Sequence, residues 1–245
     1  MHPEEFKLLD EIEDDHWWFV GKRHLLTSLL QRHAQEGALL DLGCGTGGIL
    51  REVGGDRLAL GVDGSMEGLR VCRRKGLAHV VRADLARMPF TSGDFQVVLA
   101  LDVIEHLDDD VGFLRQATKL VARGGTLIVA VPAFQLLWSQ HDETFEHKRC
   151  YDARRLRRVL AEAGLEVERV TYTNSLLFPL AAVWRILSYR CGLGRFAPKH
   201  DFWPMPRPVN RLLVALYRLE AWWLRRFDLP VGLSLVAVAR VPGGP

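Results

Sequence analysis

Between Leu39 and Gly48 the chain reads Leu-Leu-Asp-Leu-Gly-Cys-Gly-Thr-Gly-Gly, and Asp63 follows 22 residues after Asp41. Apolar residues ahead of Asp41 suit a buried central strand, and the glycines suit a turn in which backbone passes close to a ligand. Gly43 and Gly45 remove side chains where the backbone must curve and meet that ligand, and Gly47 or Gly48 permits a tight approach by a helix expected near Ile49. Asp63, at the end of the next strand, is placed to accept both hydroxyls of a ribose in a bidentate, charge-assisted pair. Gly43, Gly45 and Gly48 also have the spacing of the dinucleotide fingerprint, so spacing alone leaves NAD open.

Six apolar runs alternate with helical or turn segments: Ala38 to Leu42, Leu58 to Val62, His79 to Arg82, Phe95 to Ala100, Thr126 to Val131 and Leu165 to Thr171. Helical periodicity marks Val20 to Ala34, Ser65 to Arg74, Val111 to Val121 and Asp152 to Ala163. Strands separated by helices predict an α/β fold with a mostly parallel sheet covered on both faces. Leu233 to Arg240 offers a seventh strand. Before it, two helices are expected near Leu176 to Tyr189 and Val209 to Phe227, joined by a segment containing Pro198, Pro204, Pro206 and Pro208.

At 245 residues, 48% hydrophobic and 25% charged, the chain has the composition of a soluble globular protein of one domain with an elaboration. A net charge of +2 gives little reason to expect a nucleic-acid partner. Cys44, Cys72, Cys150 and Cys191 lie far apart, form no paired metal or redox motif, and read as reduced thiols. No signal peptide or membrane span is indicated, and the expected location is cytoplasmic.

Three further features narrow the cofactor. Asp84 follows the third strand in Val81-Arg82-Ala83-Asp84-Leu85, Met88-Pro89-Phe90 leads into Asp94-Phe95, and Leu101-Asp102-Val103-Ile104-Glu105-His106 leaves the fourth strand. From Ala38 to Gly164 the chain resembles the class I S-adenosylmethionine-dependent methyltransferases, especially the small-molecule group that includes the ubiquinone-biosynthesis enzymes. The resemblance implies a Rossmann-like, seven-stranded mixed sheet in the order 3-2-1-4-5-7-6, strand seven antiparallel, with a helical insertion between strands six and seven. A single domain over 1–245 would then comprise a helical cap (1–35), a cofactor core (36–173), a lid or interface insertion (174–230) and the last strand (231–241). It also implies that Asp41, Gly43 and Gly45 line the amino-acid end of the cofactor, Asp63 takes the ribose and Asp84 with Leu85 frames the base. Met66 and Leu101 would add apolar contacts, and S-adenosylhomocysteine would be the product.

Methyl transfer needs in-line approach of a nucleophile to a sulfonium methyl with water kept away, and a base only when the acceptor is protonated. Asp102, Glu105 and His106 sit beyond strand four, where the resemblance brings the acceptor, and His106 is the first candidate base. Glu105, His141 and His147 complete the catalytic candidates, with loop anchoring by His147 and Tyr151 as the bland alternative. Relatives that methylate catechol-type quinone precursors or an RNA 3′ end hold a divalent metal with similar triplets. Oxygen and imidazole ligands would suit magnesium or manganese, with Asp142, His141 or His147 as a fourth ligand. Asp102 stands where those relatives typically have Glu, so the expected site holds no metal and Mg²⁺ is the alternative.

The favoured function is O-methylation of a small hydrophobic or phenolic acceptor. A nucleic-acid (RNA) methyltransferase is the runner-up, ahead of an NAD-dependent oxidoreductase and a non-catalytic nucleotide-binding protein. Trp184, Trp203, Trp222 and Trp223 fall in the 174–230 insertion. Its second helix carries Leu212, Leu213, Leu216 and Leu219 beside Arg211, Arg218, Arg225 and Arg226. That helix could pack on its own domain, form a homodimer interface, enclose an acceptor or make a peripheral membrane contact. The aromatic His16-Trp17-Trp18-Phe19 block could pack over the core or wall the active site. Arg154, Arg155, Arg157 and Arg158 read as the solvated face of a helix.

Overall fold

A computed structural model describes residues 3–55, 57–88, 90, 93, 95–190, 202 and 205–243. Pro89, Asp94, Cys191, Pro198, Trp203 and Pro204 lie outside the described residues. The strands are β1 (Leu39–Leu42), β2 (Ala59–Asp63), β3 (Val80–Arg82), β4 (Phe95–Leu101), β5 (Val121–Pro132), β6 (Glu166–Thr173) and β7 (Ser234–Arg240). They form one sheet in the order β3-β2-β1-β4-β5-β7-β6. β1 runs parallel to β2 and β4, and β7 runs antiparallel to β5 and β6, as expected. Asp41 lies between Gly61 and Leu99 in this register, at the middle of the sheet.

Strand side chains alternate between two apolar layers because successive residues point to opposite faces. Leu40, Leu42, Val98 and Ala100 pack with Phe113 and Leu114 of α5 (Asp110–Leu120) and Leu156 and Leu160 of α7 (Ala153–Glu162). Leu39, Val97 and Leu99 pack on the other face with Leu25, Leu26 and Leu29 of α2 (Trp17–His33). Each fully buried leucine contributes about 1.5–3 kcal/mol by transfer from water. That second layer also contains Tyr217, Ala221 and Leu224, brought by α9 (Arg207–Trp223) and the residue that ends it. One stripe of the insertion is therefore core. α8 (Phe178–Arg190) precedes it.

Several local boundaries differ from the periodicity. α2 starts at Trp17 rather than Val20 because the His16 side chain accepts the Trp18 N–H, so the aromatic block forms the first helical turn. α5 stops at Leu120 and the chain enters β5 directly at Val121, which lengthens that strand. α9 ends at Trp223, short of Phe227. Asp152 caps α7 as anticipated, accepting the Arg155 N–H at 2.7 Å. Arg154, Arg157 and Arg158 are exposed, whereas the Arg155 guanidinium lies 5.0 Å over the Tyr151 ring.

Candidate active site

At the end of β1 the Gly43 and Cys44 amides donate to the Val62 carbonyl at 2.7 and 3.1 Å, which folds the loop back over β2. The loop then enters α3 (Gly48–Gly54). Two of its glycines have different work to do. Gly47 has φ +80°, and a Cβ there would stand 2.4 Å from Leu77 and 2.9 Å from the Cys72 sulfur. Gly45 has φ +54°, but a Cβ would meet nothing within 4 Å. Gly47→Ala is expected to lower the thermal midpoint through about 1–3 kcal/mol of strain and overpacking. Gly45→Ala should melt closer to wild type yet weaken cofactor binding in calorimetry, because its methyl projects into open space. Equal cofactor affinity in wild type and Gly45→Ala would remove the loop from the binding surface.

The two loop acids are held differently. Asp63 accepts the Gly45 N–H at 2.9 Å on Oδ2 and the Ser65 N–H at 2.7 Å on Oδ1, so it couples the glycine loop to α4 (Met66–Arg74). Asp41 is only 2% exposed, and burial, then the Asp63 charge, push its carboxyl up to about 7. Asp84 is exposed and caps the short turn at Leu85–Arg87, accepting the Ala86 N–H at 2.9 Å. Leu85 reaches the Gly43 side of the loop, Met66 is exposed at the start of α4, and Leu101 is buried at the end of β4. All stand at or just beyond the carboxyl ends of parallel strands, where open α/β sheets take ligands. α1 (Pro3–Ile12) and the residues after it close over this edge: Glu13 accepts the Thr46 hydroxyl at 2.7 Å and pairs with Lys75.

Beyond β4, Asp102 adopts φ +55° and pairs with Lys22 of α2, a partner that sequence spacing gave no reason to choose. The next turn, Ile104–His106, buries Glu105 completely, and neither of its carboxylate oxygens has a hydrogen-bond partner. Burial, then the Asp102 charge, hold that carboxyl well above the usual range. His106 is also affected: burial first, then His147, depress its imidazole to about 4. It is neutral across the physiological range and weakly basic.

The loop after β5 brings the other histidines to the same place. Ser139 and Asp142 form a capping box at the start of α6 (Gln140–Thr144), which fixes the Asp142 carboxylate. Asp142 Oδ1 lies 2.9 Å from His147 Nδ1. Burial raises Asp142, but the His147 hydrogen bond and the Arg185 charge outweigh it and bring the acid down to about 2. An ionised Asp142 places the His147 proton on Nδ1 and leaves the lone pair on Nε2. His147 and His106 rings are 4.8 Å apart, and His141 stands 6.0 Å from His147. The Lys148 N–H donates to the Glu105 carbonyl at 2.8 Å, locking the two loops together. Tyr151 anchors the segment by donating to Asp110 at 2.8 Å. Asp142, weighed in the sequence only as a metal ligand, is thus the orienting partner of His147; the Ser139-x-x-Asp142 spacing was its one readable signal.

A cavity of about 690 Å³ joins these parts. Its lining takes Gly43, Gly45 and Leu101 from the glycine loop and β4, Asp102, Glu105, His106, His141, Asp142 and His147 from the segments after β4 and β5, and Leu180, Trp184 and Leu213 from α8 and α9. Trp17, Trp18 and Phe19 also face it, so the aromatic block both packs and walls the cavity. Asp41, Asp63, Met66, Asp84 and Leu85 are not among its lining residues. Among the described residues, Glu105, His106 and His147 form the one group of three donors able to converge on a cation, with one atom from each within 4.8 Å of the others. Asp102, expected in such a triplet, does not join it.

A family model described as a methyltransferase domain matches residues 40–129. The chain is 33% identical over 100 residues to the ajmaline N-methyltransferase of Rauvolfia serpentina, covering 37% of this chain and 34% of that one, so it spans about a third of that relative's length. It is 30% identical over 190 residues to the ubiquinone biosynthesis O-methyltransferase of Marinobacter nauticus, covering 68% of this chain and 76% of the relative. The fold aligns with a chain of the complex between the Haloferax volcanii Trm112 methyltransferase activator and a methyltransferase, at TM-score 0.63 and 20% identity, over 99% of this chain and 95% of that one. The choice between NAD and S-adenosylmethionine that the glycine spacing left open is thereby closed, and the chain belongs to the class I S-adenosylmethionine-dependent methyltransferases.

Proposed function

We propose that the protein methylates the oxygen of a small, largely apolar acceptor bearing a phenolic or similar hydroxyl. The observation that carries this reading is one continuous cavity whose lining includes Gly43 and Gly45, the paired imidazoles and apolar residues of α8 and α9. S-adenosylmethionine supplies the electrophilic methyl and its own leaving group. The protein's part is to bind, align and dehydrate the reactants, and to take the hydroxyl proton. Asp63 accepts the ribose hydroxyls; Asp41, Gly43 and Gly45 surround the amino-acid end; Asp84, Leu85, Met66 and Leu101 frame the rest. His106 and His147 share the base site. The low pKa of His106 favours His147, aligned by Asp142, as the group that holds the proton. Free thiols at Cys44, Cys72 and Cys150 suit a reducing, cytoplasmic setting, and no described helix is long and apolar enough to cross a membrane. The test is to supply methyl-labelled S-adenosylmethionine with matched phenols, amines and carbon acids of similar size. Label appearing on nitrogen or carbon but never on oxygen would overturn the O-methyl reading.

Glu105 supports a second reading. A buried carboxylate with no hydrogen-bond partner is costly unless neutral or paired, and Glu105, His106 and His147 have the donor chemistry of a divalent-cation site. A cation there would ionise Glu105 and acidify a bound hydroxyl. Metal analysis of the purified protein, with thermal midpoints before and after chelation, decides between the two. Retained stoichiometric metal and a lower midpoint on chelation favour the cation; neither effect leaves the imidazoles as the base.

A further inference from the structure

α9 and the turn after it carry three stripes. Leu213, Tyr217, Glu220 and Leu224 face inward, and Glu220 accepts the Asn174 and Ser175 amides. Leu212, Leu219, Trp222 and Trp223 recur at helical spacing on a second face and are exposed, Leu212 by 59% and Trp222 by 62%. Arg207, Arg211, Arg218 and Arg225 make a third, also exposed. On α8 and the turn before it, Leu176, Leu180, Val183, Trp184 and Leu187 repeat the pattern, with Leu180 76% exposed. Apolar side chains in such number are rarely left in water on a soluble protein without a partner.

Two observations say what covers them. The first is charge. Among the described residues of 174–230 the acids are Glu220, which is buried, and Asp228, which is bonded to Arg169 at 2.6 Å. Among the described residues no acid pairs with this arginine stripe; Arg218 and Arg225 hydrogen-bond His24 and Ser28 of α2. An apolar face flanked by unneutralised arginines suits an anionic lipid surface, where leucine and tryptophan enter the headgroup boundary and guanidinium groups meet phosphates. It suits a second copy poorly, since a twofold contact would bring like arginine stripes together. The second is continuity. Leu180, Trp184 and Met205 are exposed and also line the 690 Å³ cavity, so its mouth opens among these residues.

We propose that α8 and α9 seat the protein on an anionic bilayer and that the acceptor is a membrane-resident lipid entering the cavity headgroup first. Its hydroxyl reaches the imidazole pair while its apolar body lies between the helices. The acceptor part rests on the O-methyl reading; the docking part does not, and it is measured without any acceptor.

The test is flotation of the full chain with vesicles of phosphatidylcholine alone and of phosphatidylcholine mixed with phosphatidylglycerol. Co-flotation with the mixed vesicles, weakening as salt is raised, is expected. Combined Leu212→Gln, Leu219→Gln and Trp222→Gln should lose most of the bound fraction while binding S-adenosylmethionine with wild-type affinity, because none of the three lines the cavity. Wild-type protein that stays with neither vesicle overturns the proposal. So does a solution dimer that the triple variant dissociates, which would make a second copy the occupant. Flotation as expected, followed by methylation of water-soluble phenols but of no vesicle-borne hydroxyl, would retain docking and the O-methyl reading and remove the lipid acceptor.

Discussion

Asp63→Ala is expected to raise the Kd for S-adenosylmethionine by roughly 10²–10⁴-fold, on the basis of two hydrogen bonds to a charged acceptor at about 1.5–3 kcal/mol each. Each carboxylate oxygen already takes one backbone N–H, from Gly45 or Ser65, and keeps a second acceptor site for a ribose hydroxyl. The substitution therefore removes ligand contacts and frees the glycine loop from α4. It also removes the Asp63 charge that helps to raise Asp41, so the Asp41 carboxyl should ionise at lower pH in the variant. Asp63→Asn keeps one acceptor oxygen and loses the charge, and should fall between wild type and Asp63→Ala in calorimetry. An unchanged Kd in the alanine variant would end the ribose assignment.

His147→Ala should lower kcat by about 10²–10⁴-fold with the cofactor Kd unchanged, the span typical of removing a positioned base. The argument is geometric and electrostatic together. Asp142 is fixed by the capping box, stays ionised down to about 2, and holds the His147 proton on Nδ1. Asp142→Asn should lower kcat without a large rise in acceptor KM, because the amide can turn its nitrogen toward Nδ1 and favour the wrong tautomer. His106→Ala should cost less, since an imidazole depressed to about 4 holds a proton poorly at neutral pH. With labelled cofactor and the hydroxyl acceptor found by the screen, a larger loss for His106→Ala than for His147→Ala would return the base to His106.

The backbone elements of the candidate cofactor site were legible because their constraints are local. A glycine loop after a buried strand, an acid at the end of the next strand and an acid after the third are read from spacing, and the structure puts Asp41, Asp63 and Asp84 at or just beyond the carboxyl ends of β1, β2 and β3. The candidate acceptor half was legible only as residue types. Glu105 and His106 come from the turn after β4 and His147 from the loop after β5, 41 residues beyond His106, and no period in the chain relates them. The metal triplet anticipated from adjacent residues used Asp102. In the fold Lys22, 80 positions away, takes Asp102, and His147 stands with Glu105 and His106 instead.

The helices after β6 show the same division. Their spacing and tryptophans announced amphipathic segments but not which stripe would face which neighbour. Packing against α2 consumed Tyr217, Ala221 and Leu224 and left Leu212, Leu219 and Trp222 outside. By itself, then, the sequence determined the strand and helix alternation and the glycine loop after β1, because each depends on side-chain period and backbone freedom within a few residues. Only the tertiary structure decided which imidazole is oriented, which carboxylate is stranded and which apolar face is left exposed. Those depend on burial and charge contributed by segments far apart in the chain.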